Sequence, residues 1–203
     1  MTGIFQPPPR RELKVYNEIG TDIHSDFKAI LDRYYLSKAI VYRDQFVDGL
    51  SLKGGAADPP TFAAFSGGVW ANRFDNGATM ASHATIELQH DYVDGSDMEL
   101  HIHWSPSTTN TGNVRWGCEY TFANMDATFP ATTTVTAVSA GGGIVNRHQY
   151  LTLATISGIG LTKGAVMAFR IYREGAHAAD TFTGNAFLHR IALHYAVDKL
   201  GST

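Results

Sequence analysis

The chain has 203 residues, 44% hydrophobic and 17% charged, a balance typical of an ordered globular protein rather than a disordered one. The formal net charge of −3 and the lack of a basic cluster on any predicted strand lead us to expect no nucleic-acid partner. The single cysteine, Cys118, excludes an intramolecular disulfide and a multi-cysteine zinc site. No stretch reaches the roughly 18 consecutive apolar residues of a membrane span, so we expect no membrane partner.

The first 23 residues are predicted to form an extended arm, because three consecutive prolines favour polyproline II, which cannot join a central sheet. The start of the chain lacks the basic and apolar regions of a secretion signal, which favours synthesis in a cytoplasm. The arm is either a frayed terminus or a strap that docks on a neighbouring subunit. The residues that a strap would use to bind its partner are Phe5, Pro7, Pro8, Pro9, Arg10 and Arg11.

A short helix is predicted from Ser25, which can act as its N-cap, to about Ser37, because apolar residues recur there at helical spacing. Tyr34 and Tyr35 on this helix are further candidates for contact with a partner. We therefore divide the chain into an arm with one short helix, residues 1–37, and a β-domain, residues 38–203.

The rest of the chain predicts an all-β fold. Runs with alternating apolar residues recur between clusters of Gly, Asp, Asn and Pro, and such spacing is typical of a sandwich or jelly roll. We expect a jelly-roll-like antiparallel sandwich of about eight strands, with 98–104 and 113–122 paired as a hairpin through the polar turn between them. The predicted strands are 38–47, 68–74, 80–90, 97–104, 113–122, 132–138, 148–156, 165–173 and 186–197.

The aromatic residues on these strands favour a structural interpretation. Trp70, Trp104 and Trp116 lie in predicted strands, and core packing is favoured over a carbohydrate-binding platform. Cys118 shares an apolar face with Trp116, which predicts a buried and unreactive thiol.

The pair His101 and His103 is the strongest candidate for chemistry, since two imidazoles share one strand face about 7 Å apart. The spacing is similar to the HxH pair of cupin metal sites, with a third ligand available from a set comprising His83, Glu87, Glu99 and His194. The Glu and glycine-rich turn of that motif are absent, and Trp-Ser-Pro follows instead. We favour polar-face histidines that hydrogen-bond or stack at a subunit contact, over a structural metal and over a cupin-like metalloenzyme.

Other signs of chemistry are weak. The carboxylates Asp91, Asp94, Asp97 and Glu99 surround one turn but lack the order of a calcium loop, so a solvated acidic turn is favoured. No nucleophile elbow or P-loop motif is present. We predict no catalytic residue, no metal ligand and no cofactor, and therefore a protein that is not an enzyme.

Three sequence blocks resemble those of small structural proteins of tailed bacteriophages: HIHW at 101–104, TNTGNVRWG at 109–117 and ATFPATTT at 127–134. The closing HY at 194–195, with DKLGS at 198–202, resembles the same group, and the resemblance covers roughly residues 80–203. It implies a virion component, and members of this kind resemble jelly-roll head decoration or cement proteins, usually trimeric.

The resemblance leads us to expect binding to the major capsid protein and other virion proteins, a homotrimer, and a location on the capsid surface after synthesis in the host cytoplasm. His101, His103 and His194 are the candidates for a subunit seam within such a trimer. A tail or fibre component that binds a host receptor or glycan is the alternative. That alternative needs exposed aromatic side chains in loops, and those available are Phe62, Phe65, Tyr92 and Phe182.

Overall fold

A computed structural model describes residues 41–197 of the chain. The predicted arm and helix lie outside the described residues, together with Phe5, Pro7, Pro8, Pro9, Arg10, Arg11, Tyr34 and Tyr35, and they stay predictions. Within the described range, no helix has the length and hydropathy needed to cross a bilayer.

Eleven strands make up the regular structure, and a 3-10 turn at Gly49–Ser51 is the one helical element found between residues 41 and 197. Nine of the strands match the predicted ones, with ends that differ by a few residues. The strands are β1 Val41–Asp48, β2 Lys53–Gly54, β3 Thr61–Ser66, β4 Val69–Phe74, β5 Thr79–Glu87, β6 Met98–Pro106, β7 Asn113–Ala123, β8 Thr133–Ala140, β9 Gln149–Ile156, β10 Val166–Glu174 and β11 Ala186–Val197.

The strands form two antiparallel sheets. Sheet A has the order β3-β4-β11-β6-β9, with β1 also paired to β11, and sheet B has the order β2-β5-β10-β7-β8. From β4 to β11 the chain crosses from one sheet to the other at every connection except that between β7 and β8. This connectivity is that of a jelly roll, so the predicted fold class is confirmed.

The core lies between the two sheets, where the inward-facing side chains of β6 and β7 meet. Trp104 of β6 and Trp116 of β7 are fully buried, and their ring centroids are 6.2 Å apart. The ring of Phe74 meets Trp116 edge-on at 5.1 Å. Cys118 is also fully buried, and desolvation raises the pKa of its thiol, as expected of an unreactive cysteine.

The predicted hairpin between β6 and β7 is wrong. The two strands lie in different sheets, and β7 pairs instead with β8, where Glu119 lies opposite Thr134. A strand with one apolar face shows the same alternation whether its partner lies beside it or across the core. The polar 107–112 segment therefore crosses between the sheets instead of closing a tight turn.

The prediction that Trp70 belongs to the core is also wrong, since its exposed fraction is 49%. Trp70 shares its face of β4 with the buried Phe74, so the alternation of apolar residues assigns Trp70 to the correct face of the strand. It lies near the start of β4, however, and β4 pairs with β11 only from Asn72 to Phe74. Its ring packs against that of Phe62, with centroids 5.4 Å apart.

Two of the four aromatic residues that the receptor- or glycan-binding alternative would need exposed, Tyr92 and Phe182, are instead fully buried. The hydroxyl of Tyr92 donates to the carbonyl of Ser96 at 2.5 Å, and its ring packs edge-on against Tyr195. The ring of Phe182 lies 6.4 Å from that of Trp104. Both aromatic rings therefore belong to the core and are not available to a ligand.

A buried ion pair that the sequence did not reveal fixes the loop between β10 and β11. The guanidinium of Arg173 donates to both carboxylate oxygens of Asp180, at 2.9 and 2.8 Å, and neither side chain is accessible to solvent. The same carboxylate accepts the backbone N–H of Arg115 at 2.9 Å. The guanidinium also donates to three backbone carbonyls, those of Phe74, Phe182 and Gly184.

Candidate functional site

The outer face of sheet A gathers five histidines, which we call the histidine face: His101, His103, His148, His189 and His194. The alternation of β6 places two of them there, because Leu100 and Ile102 point into the core. The bulge of β11 between Leu188 and Arg190 leaves His189 beside this same surface.

His101 lies at the centre of the histidine face. Its ring centroid is 5.3 Å from that of His103, 4.7 Å from Tyr150 and 6.5 Å from His194. The exposed fraction of His101 is 2%, and burial lowers the pKa of its imidazole. Its Nδ1 lies 3.7 Å from the carboxylate of Glu99, too far for a hydrogen bond.

His103 and His148 form an imidazole pair. Nδ1 of His103 lies 2.8 Å from Nε2 of His148, and the rings stack with centroids 4.9 Å apart. Such a hydrogen bond requires one nitrogen to carry the proton and the other to accept it. Burial, followed by the neighbouring imidazoles, lowers the pKa of His103.

His194 stands at the boundary with β1, where the pairing of β1 with β11 places Asp44 directly opposite it. Its Nδ1 lies 2.7 Å from Oδ1 of Asp44, and its ring stacks on that of Tyr42 at 5.0 Å. Both members of this contact are partly exposed, so it is available at the surface of the sheet.

His189 lines a surface cavity of about 560 Å³ together with Phe65, His103, His148 and Ser105. Its Nε2 lies 2.8 Å from the hydroxyl oxygen of Ser105, and its ring meets that of Phe65 edge-on. Burial lowers the pKa of His189 to about 4, and the imidazoles of His148 and His103 act in the same direction.

The three predicted seam residues, His101, His103 and His194, are thus brought together on one face. Sequence reasoning missed His148 and His189. His148 precedes β9, and the register of that strand against β6 cannot be read from the chain. The position of His189 depends on the bulge in β11, which leaves no signal in the alternation.

The geometry of the described residues does not converge on a metal. In residues 41–197, no group of three or more His, Cys, Asp or Glu side chains is arranged to hold one. The carboxylates of the acidic turn also have separate partners: Asp91 pairs with Arg43 and accepts the Tyr195 hydroxyl. Asp94 and Asp97 each accept a backbone N–H from the 157–165 segment.

No protein-family model matches the chain, and no curated protein sequence matches it. Among solved structures, it is similar to a family 16 carbohydrate-binding module, with 13% identity over 68% of this chain and 86% of that one, at a TM-score of 0.39. A family 35 carbohydrate-binding module from an environmental isolate gives 10% identity over 73% and 91% of the two chains, at a TM-score of 0.42.

The structure of infectious bursal disease virus, Gx strain, gives 12% identity over 76% of this chain and 32% of that one, at a TM-score of 0.35. The resemblance of the sequence to phage virion proteins stays a prediction.

The depressed pKa of His189 predicts a loss of stability in acid. The folded protein binds a proton at His189 only near pH 4, whereas the unfolded chain does so near the ordinary histidine value of about 6.5. Between these values the unfolded state binds more protons, so the free energy of unfolding should fall as the pH falls from about 6.5 to about 4. Urea denaturation at several pH values measures this slope.

A matched pair of variants isolates His189 from the other titrating groups. His189→Gln keeps a side chain that can hydrogen-bond with Ser105, but the glutamine side chain cannot titrate. We therefore expect the free energy of unfolding to change less steeply with pH than in the wild type. His90→Gln, at an exposed histidine, should leave the slope unchanged. Equal slopes in all three proteins would contradict the assignment to His189.

Proposed function

We propose that this protein is a structural component of a tailed-bacteriophage virion that decorates and stabilises the capsid shell by binding the major capsid protein. The sequence blocks at 101–104, 109–117 and 127–134 support this proposal, since they resemble phage structural proteins. The observation that carries it is the composition of the exposed part of the histidine face and its border on β1, which present aromatic rings and the partly exposed imidazole of His194 to solvent.

Aromatic residues border the histidine face along two strands. The exposed fractions of Tyr42, Phe46 and Tyr150 are 53%, 41% and 51%. Tyr, Phe and Arg are enriched in protein interfaces, and the aromatic rings among them bury large areas with only two rotatable side-chain bonds. The guanidinium of Arg190 lies 3.7 Å from the ring centroid of Phe46, so a cation–π pair joins this border. Such a surface suits contact with another subunit.

The sandwich supplies a rigid support for this surface. β11 and β6 lie in the interior of sheet A, and their inner faces are fully buried. Side chains projecting from covered strands are held in fixed positions, which lowers the entropic cost of binding. The proposed assembly is a homotrimer seated on the capsid surface, with His103 and His194 along its seam. The third residue predicted for this seam, His101, is only 2% exposed and is too buried to contact a partner directly.

The test is reconstitution on phage heads that lack this protein, imaged by electron cryomicroscopy. Wild-type protein should add density at the head surface, and Tyr42→Asp should reduce the occupancy strongly because it places a charge among the aromatic side chains of the interface. Val138→Asp is the matched control, since Val138 is 45% exposed on β8 of the other sheet, and its occupancy should equal that of the wild type.

Sedimentation of the free proteins checks the assembly state in the same experiment. A monomeric wild type would contradict the trimer, and full head occupancy by Tyr42→Asp would contradict the proposed surface. Wild-type density found on the tail instead of the head would contradict capsid decoration.

A tail or fibre component that binds a host receptor is the second candidate. The observation that favours it is the contact of Phe62 with Trp70, because both rings are about half exposed at the β3–β4 hairpin. Density at the tail tip in intact particles would select this candidate.

A further inference from the structure

The outer face of sheet B carries a row of polar side chains that the proposed capsid role does not use. Lys53 of β2 lies opposite His83 of β5, His83 lies opposite Arg170 of β10, and Arg170 lies opposite Glu119 of β7. These four residues line an open groove of about 580 Å³, which we call the sheet B groove.

Lys53 and His83 have no carboxylate opposite them in the register, whereas Arg170 lies opposite Glu119 and forms an ion pair with it at 3.8 Å. Lys53 and Arg170 stand on the two sides of His83, and opposite residues on neighbouring strands lie close enough for their side chains to interact. The side chains of Lys53, His83 and Arg170 therefore start from adjacent positions on one face of the sheet. Such a set of donors suits an anion placed over His83.

Arg170 retains donors for a ligand. Its Nη1 lies 3.8 Å from Oε2 of Glu119, beyond hydrogen-bond distance, and its guanidinium carbon lies 4.5 Å from the ring centroid of Tyr172. The carboxylate of Glu119 is held by a different partner, since Oε1 accepts the Thr132 hydroxyl at 2.7 Å. Glu119 thus stays an acceptor next to Arg170, on the β7 side of the groove.

The floor of the groove is made of small and hydroxyl-bearing side chains. Ala168 lies opposite Thr85 on one side and Thr121 on the other, which leaves a depression beside the charged row. The backbone of β10 is paired with a strand on each side, so an extended peptide could not add to the sheet at this place. Hydroxyl groups on the lining suit a ligand that itself carries hydroxyls.

We propose that the sheet B groove binds an acidic sugar, a saccharide ring that carries a carboxylate. The carboxylate lies over His83 between Lys53 and Arg170, and the ring hydroxyls face Glu119 and Thr121. The groove is open, and its volume is within the range of small-molecule sites. The groove lies on the other sheet from the histidine face, so the proposal does not depend on the capsid role.

Amide-resolved NMR titration of the full chain tests this inference with three ligands: glucuronate, glucose and sulfate. Glucuronate should shift the amides around Ala168 and Arg170. Glucose, which lacks the carboxylate, should bind at least about tenfold more weakly, because hydrogen bonds to charged groups are lost. Sulfate, which lacks the ring, should also bind more weakly than glucuronate.

Two variants remove different features of the groove. Arg170→Gln removes a charge, and Ala168→Leu fills the floor while keeping every charge; each should weaken glucuronate binding at least about tenfold. Arg147→Gln makes the same chemical change at an exposed arginine outside the groove and should bind as the wild type does. Two independent variants keep the test valid if one of them fails to fold.

Several results would overturn the inference. Glucuronate that shifts no groove amide at millimolar concentration would do so. Equal binding of glucose would show that the charged row is not used, and equal binding of sulfate would show that the site takes any small anion. Wild-type affinity in both Arg170→Gln and Ala168→Leu would place the ligand elsewhere.

Discussion

Asp180→Asn should lower the free energy of unfolding by about 3–5 kcal/mol, because it leaves the guanidinium of Arg173 buried without a counter-charge. Neither side chain of this pair is accessible to solvent. The amide that replaces the carboxylate has one oxygen in place of two, so it cannot accept both guanidinium bonds and the backbone N–H of Arg115 together. Urea denaturation measures the effect as a lower midpoint at unchanged slope.

Asp48→Asn is the matched control for this substitution. Asp48 also pairs with an arginine, Arg190, at 3.2 Å, but the side chains of Asp48 and Arg190 are 54% and 42% exposed. Exposed pairs contribute little, so the expected loss is below about 1 kcal/mol. Similar losses of unfolding free energy in the two variants would show that burial of the Arg173–Asp180 pair does not determine how much the pair contributes to stability.

Trp104→Ala should cost about 3–5 kcal/mol, since it removes a fully buried ring from the centre of the sandwich and leaves a cavity. The ring packs against Trp116 and Phe182, and its Nε1 donates to the hydroxyl of Ser139 at 3.2 Å. The side chains that line the remaining cavity lose their dispersion contacts with the ring. This loss adds to the hydrophobic transfer free energy that is lost with the ring itself. The midpoint of urea unfolding is again the measurement.

Trp70→Ala makes the same change at the exposed end of β4 and should cost less than about 1 kcal/mol. The pair of variants therefore tests directly which tryptophans belong to the core. A loss of several kcal/mol at Trp70 would mean that its ring is covered in the folded protein.

Much of the fold could be predicted because a strand with one buried face leaves a period of two in the sequence. The buried residues Leu100, Ile102 and Trp104 of β6 show it clearly. The strand β3 was missed because Phe62 and Phe65 are three residues apart, and the register with β4 shifts between Ala64 and Ser66. A bulge of this kind interrupts the alternation on which the prediction rests.

The partners of strands and of buried charges could not be predicted in the same way. The alternation of β6 and β7 fixes which faces are apolar, but not whether the strands lie side by side or across the core. Arg173 lies in β10 and Asp180 lies seven positions later in the loop that follows, and nothing in their spacing indicates that both side chains turn inward. The histidine face was predicted in part, because two of its members share one strand.

The pairing of β1 with β11 has a mechanical consequence. Val41 lies opposite Val197, and the register continues without a shift to Asp48 opposite Arg190. A pull that separates residues 41 and 197 would peel the two strands apart one pair at a time, which needs little force. A pull on residue 41 along the strand axis, resisted by the rest of the sandwich, would load all the interstrand bonds in shear at once.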